Sequence, residues 1–243
     1  MLGLFYPYGV ILQALAIVHF MRRRPDGYWL WIILIGGGVG ALAYLVVEVL
    51  PDAALLRGTF QVFPRRKRIR QLEAEILDNP SIGNLEELGD LLLEDKQYAR
   101  AREYFDRVIS PRTTTADPFY RRALAAMALN DWQAAVDDLT RVVAIDAKYD
   151  YHRAPGLLAH ALAQVGRTDE ALARFADATA ASTLSETQFN YATLLAASGR
   201  TAEAREWAQR ILAKKLTLPA FARRRERPWF RRAAALVQKL RAG

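Results

Sequence analysis

The chain has 243 residues, a formal net charge of +8 and no cysteine, so disulfides, thiol nucleophiles and cysteine-held metals are excluded. The charge is lopsided: from Arg210 onward there are eleven Lys/Arg against a single acid, Glu226, while the rest of the chain is close to neutral. A neutral body with a basic tail is unlike the evenly basic surface of a nucleic-acid-binding domain.

The first 50 residues are apolar apart from one short basic loop. Gly3–Met21 contains only Gln13 and His19 as strongly polar side chains, and Tyr28–Leu50 contains one charge, Glu48, near its end. A helix needs about 20 apolar residues to cross the hydrocarbon core. Both runs therefore predict transmembrane helices, with Tyr6, Tyr8, Tyr28, Trp29 and Trp31 near the ends where amphipathic rings favour the headgroup layer. A hairpin that dips into one leaflet is the alternative. A signal peptide does not fit, because no basic residue precedes the first run and Arg22-Arg23-Arg24 follows it.

Gly36-Gly37-Gly38-Val39-Gly40 lacks the Gly-Lys-Ser/Thr of a phosphate loop. Gly36 and Gly40 instead form a G-x-x-x-G pair suited to close helix approach. That approach is either within the hairpin or between two copies, which would make a homo-oligomer through the transmembrane glycines.

Arg24-Pro25-Asp26-Gly27-Tyr28-Trp29-Leu30-Trp31, followed by Gly40 and Tyr44, resembles the two-helix segment ahead of the catalytic part of cardiolipin synthases and related phospholipase-D-like proteins. The catalytic His-x-Lys of that family is absent: His19, His152 and His160 are followed two residues later by Met21, Ala154 and Leu162. The resemblance thus implies a membrane anchor over residues 1–50 and no phospholipase activity. Beyond the second run lie Arg57, Arg65, Arg66, Lys67, Arg68 and Arg70, against three arginines in the turn. Cytoplasmic loops collect Lys and Arg, so the expectation is an integral protein of a bacterial inner membrane with its remaining domain on the cytoplasmic side.

Residues 51–81 read as a basic juxtamembrane linker and helix, with Ile69, Leu72, Ile76 and Leu77 at helical spacing. Residues 82–217 are internally repetitive. Gly166-Arg167-Thr168-Asp169-Glu170-Ala171 recurs as Gly199-Arg200-Thr201-Ala202-Glu203-Ala204. Extending the register backwards places small residues at Ala101, Ala135, Ala171 and Ala204, each preceded twelve residues earlier by Gly89, Ala123, Ala159 and Ala192. Two helices cross closely only where neither carries a protruding side chain. The pattern resembles the tetratricopeptide repeat, whose period is about 34 residues. It implies an all-α solenoid of about four helix-turn-helix repeats, with Phe105, Leu139, Phe175 and Ala208 on the buried stripe of the second helices.

Further signals punctuate the helices. Asp117 is an N-cap followed by Pro118 at the first helical position, Ser185 with Gln188 a capping box, and Thr168 and Thr201 are N-caps. Pro155 shortens or kinks its helix. Arg122 stands where the repeat family has leucine. Glu86-Glu87 and Asp137-Asp138 read as solvated acidic faces. Residues 218–243 form a basic terminal helix from Pro228 to Leu240 with Trp229, Leu236 and Leu240 inward, covering the last repeat.

No catalytic motif, metal-ligand cluster or cofactor motif is present, which predicts a protein without enzymatic activity. The expected function is an interaction scaffold or assembly adaptor for an unidentified protein or peptide. By the resemblance its groove includes Glu86, Asp90, Tyr120, Leu124, Arg153, His160, Phe189 and Thr193. A basic clamp for a peptide carboxylate is missing there, and Glu86 and Asp90 put negative charge in its place. The alternative is binding of anionic lipid, or less readily nucleic acid, through Arg65, Arg66, Lys67, Arg68 and Arg70 and through Arg223, Arg224 and Arg225.

Overall fold

A computed structural model describes residues 6–23, 27–49 and 62–242. It divides the chain into two compact units, one within residues 1–68 and one over residues 69–243.

The first unit contains α1 (Tyr6–Arg23), α2 (Tyr28–Ile35) and α3 (Gly37–Tyr44), with a π-helical turn over Leu45–Val49. Ala16, Trp29, Ile33, Ala41 and Tyr44 form its core. The polar side chains of the first run are satisfied by the second. Gln13 Nε2 donates to the Ile33 carbonyl at 2.9 Å, and His19 Nδ1 lies 2.8 Å from the Tyr44 hydroxyl.

The second apolar run is not one helix. It breaks at Gly36-Gly37, where Gly37 takes φ +55°, a conformation that costs a residue with a Cβ about 1–2 kcal/mol. Gly36 and Gly40 allow the bend itself: a Cβ on either would lie 2.6 or 2.0 Å from the Ile32 carbonyl oxygen. The close helix approach belongs to other glycines, since a Cβ on Gly38 of α3 would stand 3.0 Å from the Gly9 Cα of α1.

The expected transmembrane pair is therefore corrected. The 18 residues of α1 rise roughly 27 Å against about 30 Å of hydrocarbon, and they include Arg22 and Arg23. Helices α2 and α3 have eight residues each. No helix among the described residues is long and apolar enough to cross a membrane. The integral-membrane localisation, and the cytoplasmic orientation derived from it, are overturned with it. Arg24, Pro25 and Asp26 of the resembling stretch, and Gly3, Leu50 and Arg57, lie outside the described residues.

In the second unit, the end of α4 (Val62–Asp78) packs on the first of four helical hairpins. Ile69, Leu72 and Ile76 are buried with Leu85, Leu88 and Leu92, whereas Leu77, the fourth apolar residue of that spacing, is 86% exposed. The hairpins pair α5 (Ile82–Glu94) with α6 (Tyr98–Val108), α7 (Asp117–Ala128) with α8 (Trp132–Ile145), α9 (Tyr149–Gln164) with α10 (Thr168–Ala181), and α11 (Ser185–Ala197) with α12 (Thr201–Thr217). The small-residue positions are the crossings: all seven alanines are fully buried, and a Cβ on Gly89 would strike the Phe105 ring at 2.7 Å. Phe105, Leu139 and Phe175 are buried beside them, each contributing roughly 1.5–3 kcal/mol.

All four hairpins use one turn. Lys96, Asn130, Gly166 and Gly199 occupy the same register with φ between 60° and 84°. The following amide closes on the carbonyl five residues back at 2.8–3.0 Å: Gln97 on Leu92, Asp131 on Ala126, Arg167 on Leu162 and Arg200 on Leu195. This Schellman closure satisfies carbonyls that the helix end leaves open. The expected side-chain caps differ. Asp117, Thr168, Ser185 and Thr201 are first helical residues preceded by Ala116, Arg167, Leu184 and Arg200, none of which makes a side-chain cap bond. Asp131 does cap, accepting from the Ala134 amide at 3.3 Å.

The third hairpin starts irregularly. Asp150, Tyr151 and His152 have φ of 50°, 52° and 65°, and regular helix resumes at Arg153, two residues before Pro155. The expected shortening is thus seen, and Pro155 sits in the first regular turn, where its missing N–H is harmless. At the C-terminus α13 (Ala220–Ala242) runs unbroken through Pro228. Its buried stripe is Ala222, Phe230, Ala233 and Val237; Trp229, Leu236 and Leu240 flank it, half-buried.

Candidate functional site

The first helices of the four hairpins are joined by a seam of charged and phenolic side chains. Asp90 on α5 lies 3.5 Å from Arg121 on α7, whose Nε also reaches Asp117 at 3.4 Å. The Asp117 carboxylate accepts a short hydrogen bond from the Tyr149 hydroxyl of α9. The Tyr149 ring tilts against that of Tyr120 at 4.9 Å, and the Tyr120 hydroxyl donates to Asp150 at 2.5 Å. Arg153 closes the chain: it lies 3.6 Å from Asp150, donates to the Tyr120 hydroxyl at 3.3 Å, and reaches Glu186 of α11 at 2.7 Å. Every residue named is on α5, α7, α9 or α11, so the seam ties one helix of each repeat to the next.

Its electrostatics are uneven. Burial, with Asp117 nearby, raises the Glu86 carboxyl above the usual carboxylate range. Asp90 is raised too, by burial first; Arg121 pulls it down, while Asp117, Glu94 and Glu86 push it up. The first two repeats therefore hold a surplus of negative charge. Burial and the bonds to Asp150 and Asp117 keep Tyr120 and Tyr149 protonated well past their ordinary range, so both act as donors.

Of the eight expected groove residues, Asp90, Tyr120 and Arg153 are in the seam, and Glu86 is half-buried one turn before Asp90. The other four are elsewhere engaged. Leu124 packs into the core of the second and third hairpins. His160 stands edge-on to Trp132 at 5.6 Å. Phe189 packs on Trp229 of α13 at 5.9 Å. The exposed Thr193 hydroxyl donates to its own helix at Phe189 O. The sequence reading passed over Asp117, Arg121, Tyr149, Asp150 and Glu186. A signal for part of the seam was present: Asp117, Arg153 and Glu186 each stand six residues before the small residue of their helix, an alternation of sign at one register position.

Asp137-Asp138 is corrected. Asp138 is 5% exposed and holds Arg122, which also reaches Asp106 at 2.6 Å. Of the basic residues expected to meet lipid, Arg65, Arg66, Lys67, Arg68 and Arg70 lie on α4, and Arg223, Arg224 and Arg225 on the first turns of α13. Among the described residues no group of three or more His, Asp or Glu is arranged to hold a metal ion.

Residues 157–216, from the third hairpin into the fourth, match the family model described as tetratricopeptide repeat. That segment carries the tetratricopeptide repeat. Solved structures of this fold agree with it over larger spans. MamA from Desulfovibrio magneticus is 19% identical, with a TM-score of 0.59 over 69% of this chain and 97% of that one. YrrB, a TPR protein with an unusual peptide-binding site, is 21% identical, with a TM-score of 0.54 over 65% of this chain and 80% of that one. A thermophilic TPR protein of Thermus thermophilus is 18% identical, with a TM-score of 0.54 over 77% and 98%. At such identities the likeness is one of fold. No curated protein matches the chain.

Proposed function

We propose that the repeat array is a protein-interaction scaffold that binds an extended peptide segment along the seam of its first helices. The observation that supports this is the linkage itself. Four successive helices are held in register by a seam whose charged side chains remain between a quarter and half exposed, a pre-organised polar surface that loses little entropy on binding. YrrB, a protein of the same fold, has a peptide-binding site, which makes a peptide the natural ligand class to test. The surplus of negative charge around Glu86, Asp90 and Asp117 favours a segment with Lys or Arg at that end and disfavours a free terminal carboxylate there.

Selection of a random peptide library on the full chain tests the proposal. Enriched sequences carry basic residues near one end, and Glu86→Lys with Asp90→Lys weakens them at least tenfold while helix content is unchanged. Failure to enrich any sequence, or binding indifferent to the double reversal, rejects the groove as the binding surface.

A further inference from the structure

The junction of α12 and α13 forms a second, chemically distinct feature. A cleft of about 560 Å³ opens between them, with Leu212, Phe230 and Ala234 among its apolar lining. Around it stand Lys215 of α12 and Arg223, Arg224, Arg227 and Arg231 of α13. Arg223, Arg227 and Arg231 recur every four residues, which sets them on one helix face over roughly 12 Å. Among the described residues Lys215, Arg223, Arg227 and Arg231 have no acidic partner. The one acid of the segment, Glu226, does not neutralise them: its Oε2 is buried and its charge acts on Lys214. Lys214 is itself engaged with Ser185 Oγ at 3.0 Å and with the Thr183 carbonyl.

We infer that this cleft is a docking site for an acidic amphipathic helix of a partner protein, separate from the seam on the first helices. Charge complementarity selects the occupant. A rail of cations at four-residue spacing matches carboxylates at i and i+4 on a facing helix, and the apolar lining takes the residues between them. Single-stranded nucleic acid fits less well, because it is held by stacking on exposed rings. The aromatic side chain in the cleft, Phe230, is 7% exposed, and the neighbouring Trp229 is packed on Phe189. Like-charge repulsion among the arginines is relieved when the acidic helix binds, so the interaction is salt-sensitive.

The experiment uses the full chain and a fluorescent 18-residue peptide with Glu at i, i+4 positions and Leu between them on one helical face. The comparison probes are a scrambled peptide of the same composition, a single-stranded oligonucleotide and vesicles containing anionic phospholipid. The patterned peptide binds most tightly, and raising salt weakens it. Arg227→Glu with Arg231→Glu lowers its affinity at least tenfold, as does Ala234→Glu, which places a carboxylate in the lining. Asp90→Lys leaves it unchanged, which separates this site from the proposed groove. Equal binding of the scrambled peptide, tighter binding of the oligonucleotide or vesicles, or indifference to the charge reversal overturns the inference.

Discussion

Arg122 forks onto Asp138, with Nε 2.9 Å from one carboxylate oxygen and Nη2 2.6 Å from the other. The pair links the two helices of the second hairpin where related repeats use leucine, and it is nearly hidden on the aspartate side. A bidentate guanidinium–carboxylate contact fixes both groups in one plane, so the hairpin gains orientation as well as attraction.

Removing one partner leaves the other charge poorly solvated. Arg122→Leu should destabilise the repeat unit by about 3–5 kcal/mol, and Asp138→Ala by roughly 2–3 kcal/mol because Arg122 keeps Asp106. The double change, Arg122→Leu with Asp138→Ala, should be far milder than the sum of the single ones. Denaturant titration of the native chain and the three variants measures the coupling; additive effects would show that the fork contributes nothing.

The crossings resist substitution for a steric reason. Ala135 is fully buried, and Ala135→Leu should cost roughly 1–3 kcal/mol by overpacking. Chemical denaturation reads this directly, and an unchanged midpoint would mean that the helices do not cross there.

The repeated turn makes an opposed pair of predictions. Lys96 and Asn130 hold the left-handed conformation that Gly166 and Gly199 hold at no steric cost. Lys96→Gly should stabilise by about 0.5–1 kcal/mol, the relief of strain less the added freedom of the unfolded chain, and Gly166→Ala should destabilise by about 1 kcal/mol. Shifts of opposite sign in melting temperature are the signature, and destabilisation by both would remove the shared geometry as the cause.

His160 gives the array a weakness to acid. Burial beside Trp132 holds its imidazole below the ordinary value, with Glu186 opposing in part. Above about pH 6.5 the ring is neutral in both folded and unfolded chains, and it adds no pH dependence. Below that value the unfolded chain takes up a proton that the folded chain refuses, so stability falls as pH drops towards the folded value and levels off beneath it. His160→Phe keeps the edge contact and removes the proton. Its melting temperature should therefore gain on the native chain as pH goes from about 7.5 to about 5.5; a constant difference would show that the ring titrates freely.

The hairpins were legible because their cause is local and periodic. A pair of Gly or Ala residues twelve apart in each repeat is a steric requirement written directly into residue identity, and the structure places all eight at crossings. The features that escaped notice depend on geometry between repeats. Nothing near Asp138 in the sequence separates it from the exposed Asp137, and only the crossing brings it to Arg122. Phe189 shares the register position of Tyr120, but the aromatic pair it forms is with Trp229 across to the terminal helix. The caps failed for a related reason: once the Schellman turn sets the chain direction, the threonines enter the helix one residue beyond the capping position. In the N-terminal unit, hydropathy recorded the apolar run but not Gly37, where one positive φ divides it.

The irregular start of the third hairpin explains an oddity of spacing. From Ala135 to Ala171 the register advances 36 residues, against 34 before it and 33 after, yet the offset from Ala159 to Ala171 stays at twelve. The surplus is taken up ahead of Pro155, between hairpins rather than inside one. Each hairpin thus keeps its internal spacing while the sequence period varies, as a staircase keeps its tread when a landing is lengthened. Added or deleted residues are absorbed at such landings, and a hairpin is the smallest piece that could be moved to another array intact.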